Sequence, residues 1–207
     1  MSLAAALADF NANVAQCDNL IANAHQNDPN GVPILPALDR EQITVAAFLN
    51  LFISWEMFLE DSLAKLMSGE PTINGSVPTK YVAPPNSVAA KKMLIGVMRH
   101  FDYANHGFVR QMVAMYFQNG IPFEPHLAGI DGDLSDLRTM RNASAHISST
   151  TQQALESLAT RIFGNPVQGI SLYQLLTSDV PGSSPNETVF AYYKNKLLIA
   201  ANLIATG

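Results

Sequence analysis

Arg141, Asn142 and His146 fall within one hexapeptide, Arg141-Asn142-Ala143-Ser144-Ala145-His146. On a helix this places a fixed cation, an amide and a titratable imidazole within about 8 Å along the axis. That set suits phosphate. Arginine stays charged and meets phosphate with a planar fork, asparagine adds donors and an acceptor, and histidine can move a proton near neutral pH. No metal ligand is needed for such chemistry. At about 100° per residue, Arg138, Asn142 and His146 share one face and can reach a single ligand, which makes Arg138 a candidate substrate-binding residue. Arg141 falls instead in the apolar stripe of Ile130, Leu134, Leu137 and Ala145. A cation there is unfavourable unless it is paired or lies over a cleft or a subunit boundary. It is either part of an ion pair within the bundle or at such a boundary. Arg141 and His146 are about 140° apart on an ideal helix, so they converge only if the helix bends near Ser144 or if a second copy contributes across a two-fold axis.

The elements that must position these residues read as helices throughout. Leu3, Leu7, Phe10, Val14, Cys17 and Ile21 alternate steps of four and three, which predicts a helix over about residues 2–26, before the turn-rich Asn27-Asp28-Pro29-Asn30-Gly31. A second helix is expected from about Asp39 to Met67, with Phe48, Phe52, Trp55, Leu59 and Leu66 as its stripe and Asp61–Lys65 as a supporting pair. Trp55 reads as a core anchor. Residues 69–85, rich in Gly and Pro, form a long surface loop or a flap. Asn86 or Ser87 could cap a helix reaching about Tyr103, and further helices are expected over about Asn105–Gln118, Asp131–His146, Thr150–Phe163 and Asn186–Ala205, with a short turn of helix around Ser171–Thr177. No repeat, glycine-rich phosphate loop, zinc-ligand spacing or strand pattern is present. The expectation is one all-α domain over residues 1–207, an irregular bundle of six to eight helices.

Composition narrows the classes. Charged residues make up 14% of the chain, against about 25% in an average domain. Apolar surface is therefore poorly diluted, which points to oligomerisation. The net charge of −5 argues against a sequence-independent duplex binder, whose affinity comes from neutralising phosphates. The charge is uneven: residues 1–79 hold two basic against nine acidic side chains, and residues 80–110 hold five against one. Lys80, Lys91, Lys92, Arg99 and Arg110 are thus either a basic face for a small RNA or ordinary solvated cations. Cys17 is the only cysteine, so no intramolecular disulfide can form, and its place in the stripe makes it a core residue. The N-terminus lacks a basic region, and the apolar run Val45–Leu59 is too short and too interrupted to span a bilayer. A cytoplasmic protein without a membrane partner is expected, with Asn-x-Ser/Thr matches at Asn74, Asn142 and Asn186 arising by chance. His25, His100, His106 and His126 read as helix-end contacts.

The Arg-x4-His spacing, with asparagine directly after the arginine and the motif late in a helix of an all-helical chain, resembles the Arg-x4-6-His motif of the HEPN superfamily. Many HEPN proteins are metal-independent endoribonucleases built as dimers, with the two motifs facing each other. The resemblance covers about residues 40–150. It implies catalytic Arg141, Asn142 and His146, an RNA substrate, no cofactor and no metal. Cleavage by the 2′-hydroxyl would leave a 2′,3′-cyclic phosphate and a 5′-hydroxyl. The implied setting is a toxin, antiphage or stress-response nuclease, held by an antitoxin or other restraining protein. Glu56 and Glu60 on the second helix would add an acidic contribution or remain surface carboxylates. The alternatives are a non-catalytic HEPN-like module that binds a nucleotide or a partner protein, and a structural dimer with Arg141 buried in ion pairs.

Overall fold

A computed structural model describes residues 3–96, 101–145, 148–183 and 187–207. The chain is all-α. Among the described residues there are nine α-helices: α1 (Ala4–Ala24), α2 (Ala37–Met67), α3 (Ser87–Ile95), α4 (His106–Tyr116), α5 (Phe123–Gly129), α6 (Asp131–Ala145), α7 (Ser149–Phe163), α8 (Leu172–Thr177) and α9 (Val189–Thr206). They hold no strand, only isolated bridges such as Lys80 with Phe117. The contacts fall into two compact units, the first of Met1–Ala12, Ser54–Leu134 and Lys196–Gly207, the second of Asn13–Ile53 and Ser135–Asn195.

The first unit is built on aromatic packing. Trp55 is fully buried, with Phe10 edge-on at 6.1 Å and Phe58 stacked at 5.8 Å between ring centroids. Its anchor role follows from burying the largest side chain against two other rings. The loop after α2 is tied down at both ends: Lys80 Nζ donates to the Met67 carbonyl at 2.6 Å, and Ile73 N–H donates to the Ala205 carbonyl at 2.8 Å. Lys80 thereby places its charge on an unpaired carbonyl at a helix C-terminus, where a cation is favoured.

Two helices in this unit differ from the sequence expectation. Asn86 caps α3 as expected, its side chain accepting from Ala89 N–H at 2.9 Å, but the helix stops at Ile95. Gly96 takes φ 58° there, its N–H bonded to the Lys92 carbonyl at 3.0 Å. A positive φ ends a helix and suits glycine. Phe101–Tyr103, the end of the span predicted to be helical, is not helical. Conversely, α5 stands where no helix is predicted. Pro125 is its third residue, within the first turn, where backbone N–H groups have no intrahelical acceptor and proline loses nothing.

The second unit takes its core from Val14, Cys17 and Ala24 of α1, Phe48, Leu51 and Phe52 of α2, Leu155, Leu158 and Ala159 of α7, and Leu172, Leu175 and Leu176 of α8. Burial, with the charge of Asp18 adding to it, pushes the Cys17 thiol above its usual range, so it stays protonated and unreactive. Lys194 of α9 grips the Asp18 carboxylate at 2.9 Å and 3.0 Å.

By length and composition α2 could cross a bilayer, with a mean hydropathy of 1.4 in its most apolar window. This departs from the expectation that the apolar run is too short. Half of that window is buried in the chain itself, and Phe48, Phe52, Trp55 and Leu59 are core residues.

Candidate functional site

The motif lies on α6. Asp131 and Asp133 sit in its first turn, where carboxylates oppose the positive end of the helix dipole. Leu134, Leu137 and Met140 recur at steps of three, and all are fully buried. The expected stripe is narrower than the sequence suggests at its ends, since Ile130 is half-buried and Ala145 exposed.

Arg141 follows directly after Met140 and is half-buried, as is Asn142. Its Nη1 donates to Asn142 Oδ1 at 3.3 Å, and Ser144 Oγ donates to the Arg141 carbonyl at 2.6 Å. The hydroxyl contact is a back-bond of the kind that slightly loosens a helix. Among the described residues no carboxylate lies within ion-pair distance of Arg141, so the buried-ion-pair account of its position has no partner here. Arg138, one turn earlier, is exposed and has no carboxylate partner among them either. His146, the proton-transfer candidate, lies outside the described residues, as do His100, Arg99 and Asn186.

The carboxylate nearest the motif in sequence is already engaged. Asp136 takes the Arg161 guanidinium of α7 on Oδ1 and accepts from the Tyr193 hydroxyl on Oδ2 at 2.8 Å. The hydrogen bond from Arg161 to Asp136 holds the guanidinium firmly protonated. Asp136 therefore neutralises Arg161, and among the described residues no carboxylate neutralises Arg138 or Arg141 of α6.

The basic stretch before the motif is mostly structural. Lys80 caps α2. Lys91 bonds Asp61 at 2.7 Å and lies 3.5 Å from Glu60, and Arg110 meets both Glu124 oxygens and Asp131 at 2.9 Å. Asp61 is thus joined to Lys91, while Lys65, its expected helical partner, lies 3.5 Å from Glu70. Glu60 serves this ion-pair group, and Glu56 is half-buried on the same helix. Lys92 remains exposed. His25 follows the end of α1 and His126 lies in the last turn of α5, the positions expected of them, but burial holds both imidazoles toward the neutral form. His106 departs from that expectation: it opens α4 and is buried in the core. Among the described residues no three His, Cys, Asp or Glu side chains gather at metal-binding spacing.

Comparison with protein-family models, with curated proteins and with solved structures finds no match to this chain.

Proposed function

We propose that the chain is a metal-independent endoribonuclease of the HEPN type. The observation that carries this reading is Arg141, a half-buried guanidinium held beside Asn142 with no carboxylate to neutralise it among the described residues. Such a group is a prepared seat for an anion, because partial desolvation strengthens its pull while its charge stays available. Arg138, exposed one turn away, extends the cationic face toward a neighbouring phosphate.

RNA carries its own nucleophile, so no metal-bound water is required. His146 as base removes the proton from a 2′-hydroxyl; the 2′-oxygen attacks the adjacent phosphorus; the bond to the 5′-oxygen breaks; and an imidazolium returns a proton to that leaving oxygen. Arg141 stabilises the charge growing on the phosphate oxygens. Asn142 orients the imidazole or holds the phosphate. The products are a 2′,3′-cyclic phosphate and a 5′-hydroxyl. Because Arg141 and His146 diverge around an ideal helix, the working site is composite, formed by two motif helices across a homodimer axis. A nuclease of this kind works in defence or stress response, restrained by a partner protein.

The test is cleavage of single-stranded and tRNA-like substrates with and without EDTA, followed by end-group analysis. His146→Ala should lower the rate at least about 10²-fold with little change in melting temperature, and EDTA should change nothing. EDTA-sensitive cleavage would overturn the chemistry. Undiminished cleavage by folded His146→Ala would remove His146 from it. Absence of cleavage on every substrate would favour a non-catalytic binding module.

A further inference from the structure

The second unit contains a partly enclosed cavity of about 210 Å³. Ile21, Leu176 and Phe190 make its apolar walls, and His25, Thr44, Thr177 and Thr188 supply its polar groups. None of these belongs to the motif on α6. A cavity on the order of 150 Å³ with apolar walls takes up a benzene-sized guest. This one has room for a ring and a small head group.

The hydrogen bonds define what that head must be. Thr44 Oγ1 donates to the Arg40 carbonyl at 2.8 Å, so at its 3.1 Å contact with His25 Nε2 it must accept. The proton of a neutral His25 is therefore on Nε2, and Nδ1 is an acceptor. Burial, with the nearby charge of Arg40 adding to it, holds the imidazole below its usual range and keeps it neutral at pH 7. Tyr173 stacks on the ring at 6.0 Å and 12°. Thr177 Oγ1 donates to the Tyr173 carbonyl at 2.9 Å and retains a lone pair. Thr188 Oγ1 accepts from Ala191 N–H at 3.2 Å, and its own O–H has no acceptor among the described residues. The lining residues thus hold one uncommitted donor, on Thr188, and two uncommitted acceptors, His25 Nδ1 and Thr177 Oγ1, with no charged side chain among the described residues of the lining.

A carboxylate only accepts and would meet two acceptors; an ammonium only donates and would leave the Thr188 hydroxyl unmet. We propose that this cavity is a binding site for a small uncharged amphiphile, a single ring or short aliphatic body bearing one carboxamide or hydroxyl head. The head accepts from Thr188 and donates to His25 or Thr177, while the body packs on Ile21, Leu176 and Phe190.

Titration calorimetry of the full chain with benzamide and benzyl alcohol tests this, with benzoate and benzylammonium as charged controls. One saturable site is expected for the two neutral probes. Thr188→Val keeps the shape and removes the donor, and should weaken benzamide about fivefold, as loss of one hydrogen bond does. Ile21→Trp, at a half-buried wall position, should abolish binding by filling the space; Thr177→Leu serves the same purpose should Ile21→Trp melt early. No saturable binding of either neutral probe would overturn the proposal, as would unchanged binding by a folded filled variant. Tighter binding of benzoate or benzylammonium than of benzamide would overturn the uncharged head. The outcome is independent of the nuclease assay, since no residue of the motif takes part.

Discussion

Arg141 and Arg138 are both cations of α6, yet their surroundings set different expectations for each. In the proposed nuclease, half-buried Arg141, bonded to Asn142, acts on charge that develops during reaction. Arg141→Ala should lower kcat by about 10²–10³-fold, the usual effect of losing one such donor. Arg141→Lys should recover only part of this, because an ammonium lacks the planar fork. Exposed Arg138 should affect binding alone, so Arg138→Ala should raise KM and leave kcat nearly unchanged; a kcat defect as deep as that of Arg141→Ala would contradict this division. Cys17 has the opposite character. Its buried, protonated thiol should label slowly with iodoacetamide in the native chain, and Cys17→Ala should leave any cleavage intact. The hexapeptide was legible because its residues are adjacent in the chain. That no carboxylate among the described residues lies beside Arg141 was not, since any of the chain's acidic residues could have been brought there by folding.

Each helix's period announces it, and its ends depend on single residues. The α2 stripe is evident from Phe48, Phe52, Trp55 and Leu59, all of them buried. Trp55→Ala should destabilise the fold by about 3–5 kcal/mol in denaturant unfolding, through the cavity left against Phe10 and Phe58. A value under about 1 kcal/mol would mean that the aromatic cluster contributes little. Gly120 makes a second test. It has φ 67°, and a Cβ there would lie 2.7 Å from the Cβ of Glu124. Gly120→Ala should therefore lose at least about 1–2 kcal/mol, the left-handed backbone penalty alone. Sequence reading misplaced the end of α3 because glycine within an apolar pattern is compatible with either continuation or a cap. α5 is not evident from the sequence because Pro122 and Pro125 together resemble a loop, whereas Pro122 is the N-cap and Pro125 lies in the first turn, where a helix tolerates it.

For the whole molecule, two measurements bear on assembly and stability. Light scattering at tens of micromolar should show a homodimer if the cleavage site is composite; a monomer that still cleaves RNA would rule out that arrangement. Stability should also depend on pH through His25 and His126. Burial, with Arg40 adding to it at His25, holds both below the ordinary value of 6.5. Folded chains then resist protonation more than unfolded ones, so this contribution is complete above pH 6.5 and is lost as pH falls through the lower folded values. Melting temperature should decline from about pH 7.5 to about pH 5, and His25→Gln with His126→Gln should flatten part of that decline. An unchanged slope in the double variant would dissociate these histidines from it. The sequence by itself determined the all-α class, most helix spans, the core roles of Cys17 and Trp55 and the phosphate-suited hexapeptide, because each is written in residues a few positions apart. Only the tertiary structure decided that Lys80, Lys91 and Arg110 serve helix ends and carboxylates, that Asp136 is held by Arg161 and Tyr193, and that His25, Thr44, Thr177 and Thr188 line one cavity. Those partners come from distant parts of the chain, and no local period or spacing encodes which distant side chain a fold will bring to meet another.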